Sequence, residues 1–280
     1  MLMTGLVLEG GTLRGIFSAG VMDALLEMDI MFPYIIGVSA GISNAASYIS
    51  RQPGRNIEIL EKYRSDRRYI GKRNVLHDRS IFGLDFVFDE IPNLLVPFDW
   101  DTFDSYTGTA YAGVTNADTG EAEYLNCLHT DRQSTILRAT CALPGIMPPI
   151  KWNGKTYFDG GIADSIPIHK AIVDGCDKNL IVLTQPRGFR KEYGKHYALI
   201  GKIIGGKYPK VVETMNRRHL VYNETLDFCE ELERLGKAVI IAPTYALNSM
   251  EKDISALKAN YWHGITLGKE NEDRIRSLFL

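Results

Sequence analysis

Gly37-Val38-Ser39-Ala40-Gly41 sets a serine between two glycines, each two positions away. A serine hydroxyl is a weak nucleophile until a base takes its proton and amide donors hold the oxyanion that forms. Glycines at that spacing suit a sharp strand-to-helix turn, where a side chain two residues either side of the serine would strike neighbouring backbone. The plain alternative is a glycine-rich turn whose serine caps the following helix.

A nucleophile of this kind calls for donors and a base. Glu9-Gly10-Gly11-Thr12-Leu13-Arg14-Gly15 can supply the donors, because successive N–H groups at the start of a helix form an anion nest. A dinucleotide fingerprint fails there at Thr12, and no Gly-Lys-Ser/Thr follows to make a P-loop, so nucleotide binding ranks below acyl chemistry. The six histidines (His77, His129, His169, His196, His219 and His263) are scattered, and none sits in a triad-like motif. Asp159-Gly160-Gly161 follows the apolar run Thr156-Tyr157-Phe158 and delivers a carboxylate to a tight turn. Its competing reading is a turn aspartate that bonds its own backbone. As a base it gains from partial burial, since an ordinary Asp titrates near ~3.9 against ~6.5 for His.

These residues need elements to hold them. The apolar run 6–8 reads as a strand ending at Gly10-Gly11, and 16–28 as a helix, with apolar positions at mixed three- and four-residue steps. Residues 34–38 read as a second buried strand and 40–50 as a helix of small residues. Strand, helix, strand, helix is the pattern of a parallel sheet covered on both faces. Further strands are predicted at 110–115, 156–158, 180–184 and 238–242, and helices at 131–142, 166–174 and 250–263. Residues 51–109 carry many basic residues and then aromatic segments, and read as an insertion of unassigned structure. The aromatics of 82–103 read first as ordinary core, with the wall of an acyl pocket as the alternative.

Composition narrows the class. The 280 residues are 45% hydrophobic and 24% charged, ordinary globular values, and no stretch reaches the ~18 consecutive apolar residues of a membrane span. Lys+Arg of 32 against Asp+Glu of 34 leaves a formal charge of −2, which gives no support to nucleic-acid binding. Cys127, Cys141, Cys176 and Cys229 are spaced for neither a zinc ribbon nor a disulfide scaffold and read as free thiols. The start of the chain lacks a signal-peptide pattern, so the expected location is cytoplasmic, with a peripheral place at the inner membrane surface as an option. Residues 187–218 hold nine basic residues against Glu192 and Glu213, interleaved with aromatic and aliphatic side chains. That run reads as a solvated helical face or as a surface for anionic lipid. One domain over 1–280 is expected, with the motifs in a core of about 5–185 and an α/β extension over about 186–280.

Taken together, the three motifs resemble the patatin-like phospholipase family of serine acyl hydrolases. The glycine-rich oxyanion loop is similar to residues 9–15, the nucleophile motif to residues 37–41, and the aspartate motif to residues 159–161. Similarity continues through Arg138-Ala139-Thr140-Cys141-Ala142-Leu143-Pro144, Pro148-Pro149 and Asp164-Ser165-Ile166-Pro167, covering most of 5–185. The resemblance implies a three-layer α/β/α fold with a mainly parallel central sheet and a Ser–Asp dyad that uses neither histidine, metal nor other cofactor. By it, Ser39 is the nucleophile and Asp159 the general base. Gly10, Gly11 and Thr12 donate amide hydrogens to the oxyanion, and Arg14 steadies the loop or meets a phosphate. The implied activity is cleavage of fatty-acyl esters of phospholipids or lysophospholipids through an acyl-enzyme. The alternative is a weakly active or inactive lipid-binding or regulatory protein on the same fold. Two departures stand out: Thr12 replaces the usual third glycine, where threonine is bulkier and restricted in φ, and Ser165 replaces a common asparagine.

Overall fold

The computed structural model describes residues 3–194 and 197–280. Lys195 and His196, counted above among the basic and histidine residues, lie outside the described residues. Strands β1 (Met3–Leu8), β2 (Tyr34–Val38), β3 (Thr109–Asn116), β4 (Ala122–Asn126), β5 (Ile150–Trp152), β6 (Lys155–Asp159), β7 (Cys176–Val182) and β8 (Ala238–Ile241) form one sheet. Its order is β5-β6-β3-β2-β1-β7-β8, with β4 pairing β3 off this path. The pairs joining β3, β2, β1, β7 and β8 are all parallel, while β4, β5 and β6 join antiparallel at one side.

The helices are α1 (Gly15–Glu27), α2 (Ala40–Ile49), α3 (Arg55–Tyr63), α4 (Asn74–His77), α5 (Trp100–Asp104) and α6 (Thr135–Thr140) in the first half. They continue with α7 (Ile168–Val173), α8 (Tyr197–Ile204), α9 (Pro209–Arg234), α10 (Ile254–Glu270) and α11 (Glu272–Arg276). Alternation along the strands sorts them into layers. Leu6, Leu8, Ile35 and Leu180 point to one face and pack with Phe17 and Val21 of α1 and Ile42 of α2. Val7, Ile36, Ile181 and Ile240 point to the other and pack with Ile168 of α7 and Tyr222 and Leu226 of α9. Because both faces are covered, β1 and β2 are apolar and buried almost throughout. The three-layer α/β/α reading with a mainly parallel sheet holds, and α10 adds a further helix outside α1.

Several boundaries differ from those predicted. The helix expected over 131–142 is confined to α6, because Asp131 accepts from the N–H groups of Gln133 and Thr135 and Ser134 stands at φ 55°, which makes residues 131–134 a turn. The helix expected from 250 starts after Asp253, whose side chain caps it by accepting from Ser255 N–H. Within 51–109, α3, α4 and α5 are joined by a π-helix over Phe86–Leu95. Pro92 inside it has no N–H to give to a tighter ladder, and Val96 N–H reaches back five residues to Ile91 O.

Candidate active site

Ser39 follows β2 directly, at φ 52° and ψ −131°, a left-handed conformation that costs a non-glycine residue roughly 1–3 kcal/mol. The cap reading fails, since the Ser39 side chain makes no cap hydrogen bond to α2. The flanking glycines fit the crowding expected of them: a Cβ on Gly37 would lie 2.9 Å from Leu8 Cβ, and one on Gly41 would lie 2.7 Å from Glu9 O. The strained peptide is held from below. Ser39 N–H donates to Thr140 Oγ1 at 2.8 Å, and the Thr140 hydroxyl donates to Gly113 O at 2.5 Å, pinning the turn to β3.

β3 also brings in the aspartate. Its early residues pair with β2, Val38 opposite Gly113, and its later ones with β6, Val114 opposite Asp159. Ser39 and Asp159 thus both lie against one strand. Asp159 is fixed by its own N–H to Ala142 O at 3.0 Å and by the Thr115 hydroxyl, which donates to Asp159 O at 2.8 Å. The turn reading of this residue holds, and it engages one carboxyl oxygen. Oδ1 accepts from Gly161 N–H at 2.7 Å, the turn bond, while Oδ2 is buried without a hydrogen-bond partner of normal geometry. Burial pushes the carboxyl up to about 6; the neighbouring Ser39 hydroxyl opposes that rise, followed by Gly161 N–H and the charges of Arg218 and Lys191.

Cys141 lies beside the serine, Sγ 4.0 Å from Ser39 Oγ and 3.3 Å from Ser43 Oγ. Burial, helped by the Asp159 charge, pushes its thiol up to about 12, so it stays protonated and competes poorly as a nucleophile.

The glycine-rich loop runs over the same point: a Cβ on Gly10 would lie 3.1 Å from Ser39 Cβ. Leu13 N–H is taken by Ser249 O at 3.2 Å and Arg14 N–H by Gly11 O at 3.1 Å. Among the described residues the N–H groups of Gly10, Gly11 and Thr12 have no protein acceptor, as an anion nest requires. Thr12 adopts φ 50° despite its branched side chain, so the position keeps the backbone that a glycine would favour. Glu9, only 2% exposed, anchors the loop by accepting from Thr184 N–H at 2.6 Å and from the Tyr222 hydroxyl at 2.8 Å.

From Ser39 opens a largely apolar cavity of about 200 Å³. Leu13 and Ile16 wall one part of it, and Phe82, Phe88, Phe98 and Phe103 another. The aromatic stretch read first as ordinary core therefore lines this space, together with Ile91 and Pro92 of the π-helix. Arg14 does not line it; its Nε is buried without a hydrogen-bond partner.

The basic run does not form one face. Arg187 pairs with Glu233 at 2.7 Å, Arg190 with Asp227 at 2.6 Å and Lys210 with Glu213 at 3.0 Å. Lys191 and Arg218 instead turn toward the aspartate motif: Arg218 donates to Gly161 O, and Lys191 Nζ stands 3.9 Å above the ring of Tyr222, which holds Glu9. Sequence reasoning counted both cations without separating them from their neighbours, and it passed over Thr140 and Tyr222. Only the position of Thr140 in the 138–144 run gave any sign. The four cysteines are free, with Cys127, Cys176 and Cys229 buried.

The patatin-like phospholipase family model matches residues 6–172, and a domain of unknown function (DUF6363) matches residues 208–279. The protein named YjjU of Escherichia coli strain K12 is 28% identical over 187 residues, covering 65% of this chain and 52% of that protein. Lysophospholipase nte1 of Aspergillus niger is 28% identical over 173 residues, 59% of this chain and 11% of that protein. Lysophospholipase NTE1 of Coccidioides immitis is 23% identical over 292 residues, 98% of this chain and 18% of that protein. The chain thus spans about half the length of the bacterial relative and a smaller part of the fungal ones. Among solved structures, VipD of Legionella pneumophila superposes with a TM-score of 0.46 at 14% identity, over 96% of this chain and 67% of that one. With the family model matched over more than half its length, the chain belongs to the patatin-like phospholipase family.

Proposed function

We propose that this protein hydrolyses fatty-acyl esters of lysophospholipids or phospholipids, with Ser39 as nucleophile and Asp159 as general base. The observation that carries the reading is the unpartnered, buried Asp159 Oδ2 beside a strained, uncapped Ser39 at the end of an apolar cavity. In the first half-reaction Oγ attacks the acyl carbonyl and its proton passes to Asp159. The carbonyl oxygen takes the negative charge facing the Gly10, Gly11 and Thr12 amides. The ester C–O bond then breaks, the leaving alcohol recovers the proton from Asp159, and the acyl group stays on Ser39. In the second, water gives a proton to Asp159 as it attacks the acyl-enzyme. The fatty acid departs, and Oγ takes the proton back.

The cavity suits an alkyl chain better than a polar group. Thr12 is the feature that favours the weakly active alternative, yet its left-handed backbone and free N–H support a working hole. For access to lipid we propose a peripheral contact with an anionic membrane surface. It uses the exposed Leu199 and Ile203 of α8 with the exposed Lys202 between them. No helix among the described residues is long and apolar enough to cross a membrane.

The test is turnover of a 1-acyl lysophospholipid by wild type, Ser39→Ala and Asp159→Asn. Activity is expected to fall at least a thousandfold in the first and at least a hundredfold in the second, with both folded. Wild-type turnover in either variant would remove that residue from its role, and no turnover in wild type would favour the lipid-binding alternative.

A further inference from the structure

Beside the dyad, and outside the apolar cavity, three cations gather from separate elements. Arg14 precedes α1, Lys191 follows β7, and Arg218 comes from α9. Lys191 and Arg218 lie beyond residues 6–172, the part matched by the family model. Among the described residues, none of the three is paired with a carboxylate, whereas their neighbours Arg187, Arg190 and Lys210 all are. Among the described residues, Arg218 donates to neutral oxygens: Gly161 O, the Tyr197 hydroxyl at 2.7 Å and Ser165 Oγ at 3.5 Å. Among the described residues Arg14 Nε has no hydrogen-bond partner, and Lys191 Nζ rests on an aromatic face.

Like charges brought together and partly desolvated repel one another, and that cost is recovered when an anion enters. The effect is visible on Lys191, pushed down to about 7 by burial first and then by Arg218, with Arg14 adding to it and Glu9 and Asp159 opposing. Glu9 offsets part of that repulsion through its charge but forms no ion pair with any of the three among the described residues; its oxygens accept from Thr184 N–H and the Tyr222 hydroxyl.

We propose that Arg14, Lys191 and Arg218 form a subsite for the phosphate of a glycerophospholipid substrate. The acyl chain would enter the apolar cavity while the headgroup phosphate sits among these cations, with the scissile ester at Ser39 between them. The proposal rests on the ester-hydrolase reading above and assigns recognition of that substrate's phosphate to these three residues. Lys191 is the specificity-determining member, since Arg218 also steadies the aspartate turn.

Two measurements decide it. In the first, inorganic phosphate is titrated calorimetrically into the Ser39→Ala protein at pH 7, alone and combined with Lys191→Gln or Lys191→Arg. Binding should weaken about tenfold or more with glutamine and be kept with arginine. In the second, kcat/KM is compared for a 1-acylglycerol phosphate and a monoacylglycerol of the same chain length. The phosphate-to-neutral ratio should fall about tenfold or more in Lys191→Gln and recover in Lys191→Arg.

Absence of phosphate binding, or an equal fall on both substrates, would overturn the subsite. Phosphate binding with an unchanged ratio would assign the cations to a free anion and overturn the headgroup placement. No turnover of either ester by wild type would sink the hydrolase reading and the substrate assignment with it, and the phosphate titration would then decide the anion site by itself.

Discussion

At Asp159 the two oxygens of one carboxyl have divided labour. Oδ1 closes the turn with Gly161, and among the described residues Oδ2 is a buried acceptor without a hydrogen-bond partner; in the proposed mechanism it takes the proton of the Ser39 hydroxyl. The folded carboxyl titrates near about 6, above the ordinary 3.8, so protonated Asp159 favours the fold; that contribution is complete below 3.8 and is lost as pH rises through about 6. Asp159→Asn cannot ionise. It should therefore match wild type in stability near pH 4 and exceed it at pH 8, by at most about 3 kcal/mol, as read by chemical denaturation at both pH values. An equal difference at both would show that the buried charge is not the cause. Thr12→Gly probes the other special residue: relief of the left-handed strain, about 1–2 kcal/mol, is set against the backbone entropy of glycine, roughly 0.5–1 kcal/mol. Stability should rise by no more than about 1.5 kcal/mol and serine reactivity should be kept or raised. A tenfold loss of reactivity would mean that the threonine side chain itself belongs to the site.

At the scale of elements, β3 holds Ser39 and Asp159 together, and its partner in that task is a single hydroxyl. Thr140→Val keeps the shape of the side chain but deprives Ser39 N–H of its acceptor and Gly113 O of its donor. The expected cost is about 1–3 kcal/mol of stability with a clear fall in serine reactivity, measured on one preparation by denaturation and labelling. Unchanged reactivity would mean that the turn keeps its shape without this tie. The cavity can be tested through α2. Ala46 lines it and is 8% exposed, so Ala46→Phe should shorten the longest acyl chain accepted, with kcat/KM on long-chain esters falling at least tenfold relative to short ones. An unchanged chain-length profile would place the acyl group elsewhere. Sequence pattern served best where local and tertiary demands agree. β1 and β2 are apolar almost throughout because both their faces are covered, and the motif spacing around Ser39 records steric contacts that only glycine permits. It served least for the Phe86–Leu95 π-helix, whose wide turn has no periodic signature, and for the cations of 187–218, whose partners are far away in sequence.

For the whole molecule, the two ends of the chain meet. α1 and α10 cross so closely that a Cβ on Gly264 would strike Phe17 O, and one on Gly20 would strike Tyr261 O. β8 extends the same sheet beside β7, and α9 covers one of its faces. We propose on these grounds that residues 186–280 are part of one folding unit with the motif-bearing core. Gly264→Leu should then cost about 2–3 kcal/mol and lower serine reactivity only in proportion to the folded fraction, as monitored by thermal unfolding and labelling together. The central claim, that Ser39 is activated by Asp159, is tested most directly by locating a fluorophosphonate adduct by mass spectrometry and following its rate of formation with pH. The account predicts an adduct on Ser39 that forms faster as pH rises through about 6, disappears in Ser39→Ala and forms at least a hundredfold more slowly in Asp159→Asn. An adduct on another residue, or a rate in Asp159→Asn equal to wild type, would contradict it.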